Sequence, residues 1–404
     1  MQRRKSPFRF ENMWLKSEGF HARVNRWWNS YNYSGSPCYV LVQKLKSLKI
    51  DLRRWNKEVF GDVNLRKNEL LAQIQDLDLL KETRPLSVEE GVAKDQFKTN
   101  YEYVLLLEEI KWRQTSKATW LWEGDKNTRF FHRVANSNRR FDSIDHLVVN
   151  GALTSDQTEI GEGLVNFYQR LFSNDAVRRP LLDGLVFSSI DEANSDQLDR
   201  PFMKDEVWEV VRNIFGDKAP GPDGFSLAFF QSCWDIIKQD VMTVFHDFHV
   251  SRNFEKSINV TFLALSPKKP RAQECKDFRP ISLVTRIYKI IAKVLANRLK
   301  MVLDKIVSAF QNTFVGWRQI LYFVLIANES LDNRLKSGHQ GILCKLDIEK
   351  AFDHVNWNFL MYMLRRCGFS EKWLQWIYTC IFIVRLLVLV NGSAQGFFPT
   401  SRGF

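Results

Sequence analysis

The stretch "KLDIEKAFDHV", Lys345 to Val355, decides how this chain is read. It continues the apolar run "GILC", so that nine residues are apolar except for Lys345 until Asp347 and Glu349 appear. A short apolar run of that kind suits a buried central strand. An aspartate at its C-terminal end is held at a sheet edge and partly desolvated, and an uncompensated carboxylate there is costly. One reading makes Asp347 a cap on the following turn. The other gives it a divalent cation, since Mg²⁺ is held by one or two protein carboxylates plus substrate phosphates. Two such ions can align an attacking hydroxyl and a leaving pyrophosphate.

Downstream, "VNWNFLMYMLRRCGF" predicts a helix closed by Gly368, and "SEKWLQWIYTCI" a second helix capped by Ser370. "FIVRLLVLVNGSAQGFF" then predicts a strand with a hairpin turn at Asn391-Gly392.

Upstream, "INVTFLALSPKKPRAQECKDFRPISL" predicts two strands around a basic loop. Lys268, Lys269 and Arg271 fall in the turn and Arg279 in the return strand. Such a flap can grip a triphosphate or a template backbone. "RIYKIIAKVLANRLKMVLDKI" follows as an amphipathic basic helix. "FGDKAPGPDGFS", Phe215 to Ser226, is the clearest breaker cluster and predicts a rigid loop, with a helix from about Leu227 to Phe248. His246 and His249 on that helix have no third ligand at a matching spacing.

From about Ser36 to Thr119 the apolar spacing is helical, as at Leu70, Ile74 and Leu77. "TRPLSVEE" interrupts it: Pro85 breaks a helix, and Ser87 with Glu90 has capping-box spacing. This predicts a long antiparallel helical hairpin turning near residues 83–87. At the start, "SPFRFENMW" reads as one short strand around Phe8 and Phe10 with no visible partner.

Charge points to the partner class. Lys plus Arg number 58 against 46 Asp plus Glu, a balance of +12, which suits either a basic protein without a polyanion or a nucleic-acid binder. Residues 111–140 carry eight Lys or Arg and two acidic residues, with Trp112, Trp120, Trp122, Phe130 and Phe131 interleaved. Cations neutralise phosphates and rings stack on unpaired bases, so Arg129 and Arg133 become candidate template contacts. The same pattern also fits a basic face over an aromatic core. Six cysteines, none in a C-x-x-C pair, suit a reducing compartment rather than a disulfide framework or zinc site. "MQRRKSPFRF" lacks the apolar region of a secretion signal, and the longest apolar run, Ile381 to Val390, is broken by Arg385, so no membrane partner is expected.

Taken in order, "EGDKNTRFFH", "KAPGPDGF", "SPKK" with "KDFRPISL", "QNTFVGWRQI" and "KLDIEKAFDHV" resemble the reverse transcriptase region of plant LINE-type non-LTR retrotransposons. "SPFRFENMWL" is similar to the end of the endonuclease domain that precedes the polymerase in that family. The resemblance implies an α+β fold: an incomplete right-hand polymerase of fingers and palm, preceded by a long helical hairpin. It implies the end of an endonuclease-like domain over 1–20, a helical spacer over 21–115, a basic aromatic linker over 116–200, and fingers with a truncated palm over 201–404. The family's first metal-binding aspartate falls on Asp347, with the Ile348 carbonyl as a further Mg²⁺ ligand. Its sugar-shielding aromatic falls on Phe352. Its triphosphate-gripping cations fall in or near Lys268, Lys269 and Arg279, and a template or nucleotide contact falls on Arg318. RNA template, DNA primer and a nuclear location are implied with it.

Departures are visible. Trp317 stands where the family has glycine, and Tyr322-Phe323 where it has an aspartate. After "SRGF" at 401–404, the family continues into R-Q-G-D-P-L-S-P and an F-x-D-D hairpin with two more metal-binding aspartates. The expectation is therefore a piece of an RNA-directed DNA polymerase that is inactive alone, or a non-catalytic RNA-binding remnant of a decayed element.

Overall fold

The computed structural model describes residues 7–116, 136–137, 141–173, 182–311, 315, 318–338, 340–342, 344, 346 and 351–403. Helices dominate, and a four-stranded sheet completes an α+β fold.

The N-terminal half is built on α1 (Phe20–Ser30) and α2 (Pro37–Trp55). Ser36 caps α2 by accepting from the Tyr39 N–H, and Pro37 occupies the first turn, where a missing N–H costs nothing. Leu41, Leu45, Leu48, Leu52 and Trp55 recur at helical spacing and are buried. Then α3 (Val63–Thr83) and α4 (Val88–Ser116) form the expected hairpin. Its turn carries the capping box: Glu90 N–H donates to Ser87 Oγ at 3.1 Å and Ser87 N–H to Glu90 Oε2 at 2.8 Å. In α3 the buried residue is Val63, so the hairpin leans on polar pairs across its seam, Lys67 with Glu108 and Lys94 with Asp78.

The second half runs through β1 (Leu147–Val149), β2 (Ala152–Thr154), α5 (Gln157–Leu171), α6 (Glu192–Asp199), α7 (Lys204–Asn213), α8 (Leu227–Ser232) and α9 (Trp234–Ser251). Next come β3 (Val260–Pro267), β4 (Phe278–Val284), α10 (Arg286–Lys300), α11 (Leu303–Ile306) and α12 (Ile320–Ser337). Last are α13 (Trp357–Arg366), α14 (Glu371–Phe382), β5 (Arg385–Val390) and β6 (Ser393–Pro399). Strand order is β4-β3-β5-β6, with β3 and β5 parallel and the other pairs antiparallel. A parallel neighbour requires a crossover, which the helices between β4 and β5 supply.

Two cores form. The larger joins Phe10, Trp14, Trp28 and Leu48 to Phe229, Val241, Phe248, Ile290 and Trp376, so the N-terminal helices share one core with α8, α9, α10 and α14. Trp28 Nε1 and Lys44 Nζ both donate to Asp240 on α9, at 2.7 and 3.0 Å. The smaller core lies between the sheet and α5, where Leu164 and Tyr168 meet Leu263, Leu386 and Val388.

The helices closed by Gly368 and capped by Ser370 form as expected, and Asn391 and Gly392 both take positive φ (49° and 82°) to turn β5 into β6. Three expectations change. Phe8–Phe10 is extended but is no strand: one bond, Phe10 N–H to the Gly224 carbonyl at 2.8 Å, docks it on the glycine-proline loop. The helix expected over 227–248 is broken at Cys233, whose φ of −100° and ψ of 17° separate α8 from α9. Among the described residues of 340–346 there is no strand, and Ile342 and Leu346 are 97% and 85% exposed; no strand of the described sheet pairs with them.

Candidate active site and nucleic-acid surface

Antiparallel pairing of β3 with β4 sets Ser266 opposite Arg279 and Pro267 opposite Phe278. One further backbone bond, Lys268 N–H to the Asp277 carbonyl at 2.7 Å, carries the ladder into the turn. The turn closes on a short 3₁₀ segment, Cys275–Asp277, held by reciprocal Glu274 and Asp277 capping bonds. Arg271 takes a left-handed φ of 57° at its tip. Lys268 Nζ donates to the Lys276 carbonyl at 2.8 Å, and Lys269 Nζ lies 2.9 Å from Asp277 Oδ1. The Lys269 hydrogen bond holds the Asp277 carboxyl below its ordinary range. An ammonium has three donors, so each lysine keeps capacity for a phosphate. Arg279 is exposed and makes no ion pair among the described residues. The sequence-predicted cations Lys268, Lys269 and Arg279 are thus brought together on one hairpin.

Behind this hairpin sits the loop 218–224. Gly221 lies against β4's end, where a Cβ would stand 2.2 Å from the Val284 carbonyl oxygen. Gly224 has φ of 75° and faces the Phe8 carbonyl. Glycine is required at both. Arg286, 1% exposed, ties the loop down: Nε donates to the Phe225 carbonyl at 2.8 Å, and Nη2 to Lys218 and Ala219 at 2.7 and 2.6 Å. Burial pushes the Asp223 carboxyl up, against the opposing charges of Arg286 and Lys49. Burial, with Arg286 and Lys218 nearby, pushes Lys289 down to about 8. Sequence reading missed Arg286 and Asp223. Arg286 looks there like one more cation of an amphipathic helix; the one signal was an arginine in a helix's first turn, where cations are disfavoured.

Phe352 is 72% exposed. The segment after it is anchored: Gly403 N–H donates to the Val355 carbonyl at 3.0 Å, and Trp357 Nε1 to the Gly403 carbonyl at 2.9 Å. The Arg318 guanidinium is occupied by carbonyls of Ser308, Gln311 and Val307 at 2.5, 2.8 and 3.2 Å, and it lies 3.7 Å from Asp304. It braces the loop after α11. Asp347, Ile348, Arg129 and Arg133 lie outside the described residues. Among the described residues no group of three His, Cys, Asp or Glu could hold a metal. The expected donors, a carboxylate and a backbone carbonyl, are the hard oxygens that Mg²⁺ takes. No described helix is long and apolar enough to cross a membrane.

Residues 266–404 match the family described as Reverse transcriptase (RNA-dependent DNA polymerase). The chain is 28% identical over 406 residues to the Transposon TX1 uncharacterized 149 kDa protein of Xenopus laevis, covering 98% of this chain and 31% of that protein. It is 26% identical over 190 residues to the Retrovirus-related Pol polyprotein from type-1 retrotransposable element R2 of Nasonia vitripennis, covering 44% of this chain and 17% of that protein. The chain therefore spans less than a third of the curated relatives it matches.

Proposed function

We propose that this chain carries the fingers and the first part of the palm of an RNA-directed DNA polymerase from a LINE-type non-LTR retrotransposon, of the plant kind its motifs resemble. One coincidence carries the reading. The match to the reverse transcriptase family begins at residue 266, and there the chain forms a hairpin presenting Lys268, Lys269 and Arg279.

In this reading the hairpin cations hold the triphosphate of an incoming nucleotide over an RNA template and DNA primer. Asp347 and the Ile348 carbonyl hold Mg²⁺, which supplies charge neutralisation and alignment when bound. Phe352, exposed five residues beyond Asp347, shields the sugar 2′ position. Arg318 orders the loop that meets template, and Arg129 and Arg133 contact its phosphates. Residues 1–20 close an endonuclease-like unit, 21–115 space it from the polymerase, 116–200 link them, and the protein works in the nucleus.

Two-metal nucleotidyl transfer draws carboxylates from more than one segment. This chain's candidate is Asp347, so these 404 residues by themselves are proposed to bind without extending a primer. The basic, aromatic stretch at 111–140 favours a second reading, a non-catalytic RNA-binding remnant.

Deoxynucleoside triphosphate binding with and without Mg²⁺, followed by ³¹P NMR, separates the two. The polymerase reading expects Mg²⁺ to tighten binding and Asp347→Ala to remove that gain. Triphosphate binding indifferent to Mg²⁺ selects the remnant. Primer extension by this chain would overturn the binding-only assignment.

A further inference from the structure

Between α2, the loop 218–224 and the start of β3 lies a cavity of about 220 Å³. No residue assigned above to the polymerase chemistry lines it. Its walls are mostly hydrocarbon, from Val42 on α2, Ile258 beside β3 and Ile287 on α10. Its polar lining comes chiefly from Asp223, Lys46 and Lys49.

Asp223 is spent on one side only. Oδ2 accepts from the Arg286 N–H at 2.5 Å, whereas Oδ1 is buried with no hydrogen-bond partner in the described structure. An unmatched buried acceptor is costly, and an N–H donor entering the cavity recovers that cost. Lys46 is exposed and Lys49 half-buried, and neither makes an ion pair among the described residues. Lys49 Nζ lies 5.8 Å from the Phe8 ring centroid, which does not neutralise it.

A dry slot, an unmatched acceptor inside it and two unpaired ammonium groups beside it describe complementary parts of one ligand. Cavities for drug-sized molecules run to about 300–1,000 Å³, so this one takes a single ring system and leaves the rest of the ligand at the rim. Apolar side chains hold extruded bases in this way. The geometry points to a site for one nucleotide: a base in the slot donating an N–H to Asp223 Oδ1, its phosphate against Lys46 and Lys49. This rests on the nucleic-acid reading above. The nucleotide is either a free mononucleotide or one unit of a bound strand.

The test titrates the full chain by calorimetry with nucleoside monophosphates, the parent nucleosides and inorganic phosphate. Saturable monophosphate binding at least tenfold tighter than phosphate is expected. Val42→Phe, which fills the slot from a partly buried position, is expected to weaken it tenfold or more. Lys46→Gln, at an exposed position that does not endanger folding, is expected to weaken monophosphates at least threefold and leave nucleosides unchanged. Monophosphates no tighter than phosphate, or Lys46→Gln weakening nucleosides equally, would overturn the site, as would a folded Val42→Phe that binds like the parent. A labelled RNA strand distinguishes the sources: Val42→Phe weakens it if the site takes a strand nucleotide and leaves it unchanged if the site takes a free one. Loss of RNA binding with mononucleotide binding intact counts against the proposed function and leaves the site standing.

Discussion

Asp223 and Arg286 clamp each other: Asp223 Oδ2 accepts from the Arg286 backbone N–H at 2.5 Å, capping α10, while the Arg286 guanidinium holds three carbonyls of the loop on either side of Asp223. Removing one partner of a buried charged network leaves the other groups unmatched. Arg286→Met is expected to cost about 3–5 kcal/mol in urea denaturation. An unchanged midpoint would mean that the loop is held by its prolines and glycines alone.

Lys289 gives a pH signature. Its folded pKa lies near 8, below the free lysine value near 10.5, so between these the unfolded chain binds more protons. Stability therefore gains from this group as pH rises from about 8 to 10.5. The difference between the parent and Lys289→Met, measured by urea midpoints across that window, is expected to grow in favour of the parent. A flat difference would remove the lysine from its cationic surroundings.

At the hairpin tip the sign reverses. The Arg84 hydrogen bond, helped by the Ser87 N–H, pushes Glu90 down to about 2. A depressed carboxyl stabilises fully above its unfolded value near 4.5, and that contribution is lost as pH falls toward 2. Hydrogen exchange at the first turn of α4 should accelerate across that window in the parent and less in Glu90→Gln. Ser87→Ala should cost about 1 kcal/mol of local stability. Equal exchange in all three would show that the capping box does not fasten the turn.

Helix α12 carries no buried residue, and Leu321, Leu325 and Leu335 are 69%, 62% and 72% exposed. Apolar surface of this extent promotes association. Light scattering is expected to show concentration-dependent self-association that Leu321→Lys with Leu325→Lys relieves. A monodisperse parent at high concentration would contradict this.

What was legible in the sequence was local. The Asn391-Gly392 turn, the Ser87–Glu90 box and the strand–basic loop–strand pattern each state their geometry within a few residues, and each forms. What was not legible depended on distant partners. Phe8 and Phe10 look like half of a sheet pair but dock on Gly224, more than 200 positions away. Cys233 carries no breaker signal, yet it separates two helices that pack differently. Lys268 and Lys269 were readable as turn cations; that Lys269 is matched to Asp277 was not.

The most direct test of the account is the salt dependence of binding to an RNA–DNA template–primer, read by fluorescence anisotropy. The account predicts affinity falling linearly on logarithmic axes as salt rises. Lys268→Ala, Lys269→Ala and Arg279→Ala should each lower that slope by about 1 without changing sequence preference. Binding that ignores salt, or a slope untouched by all three substitutions, would contradict the assignment of this hairpin to nucleic acid.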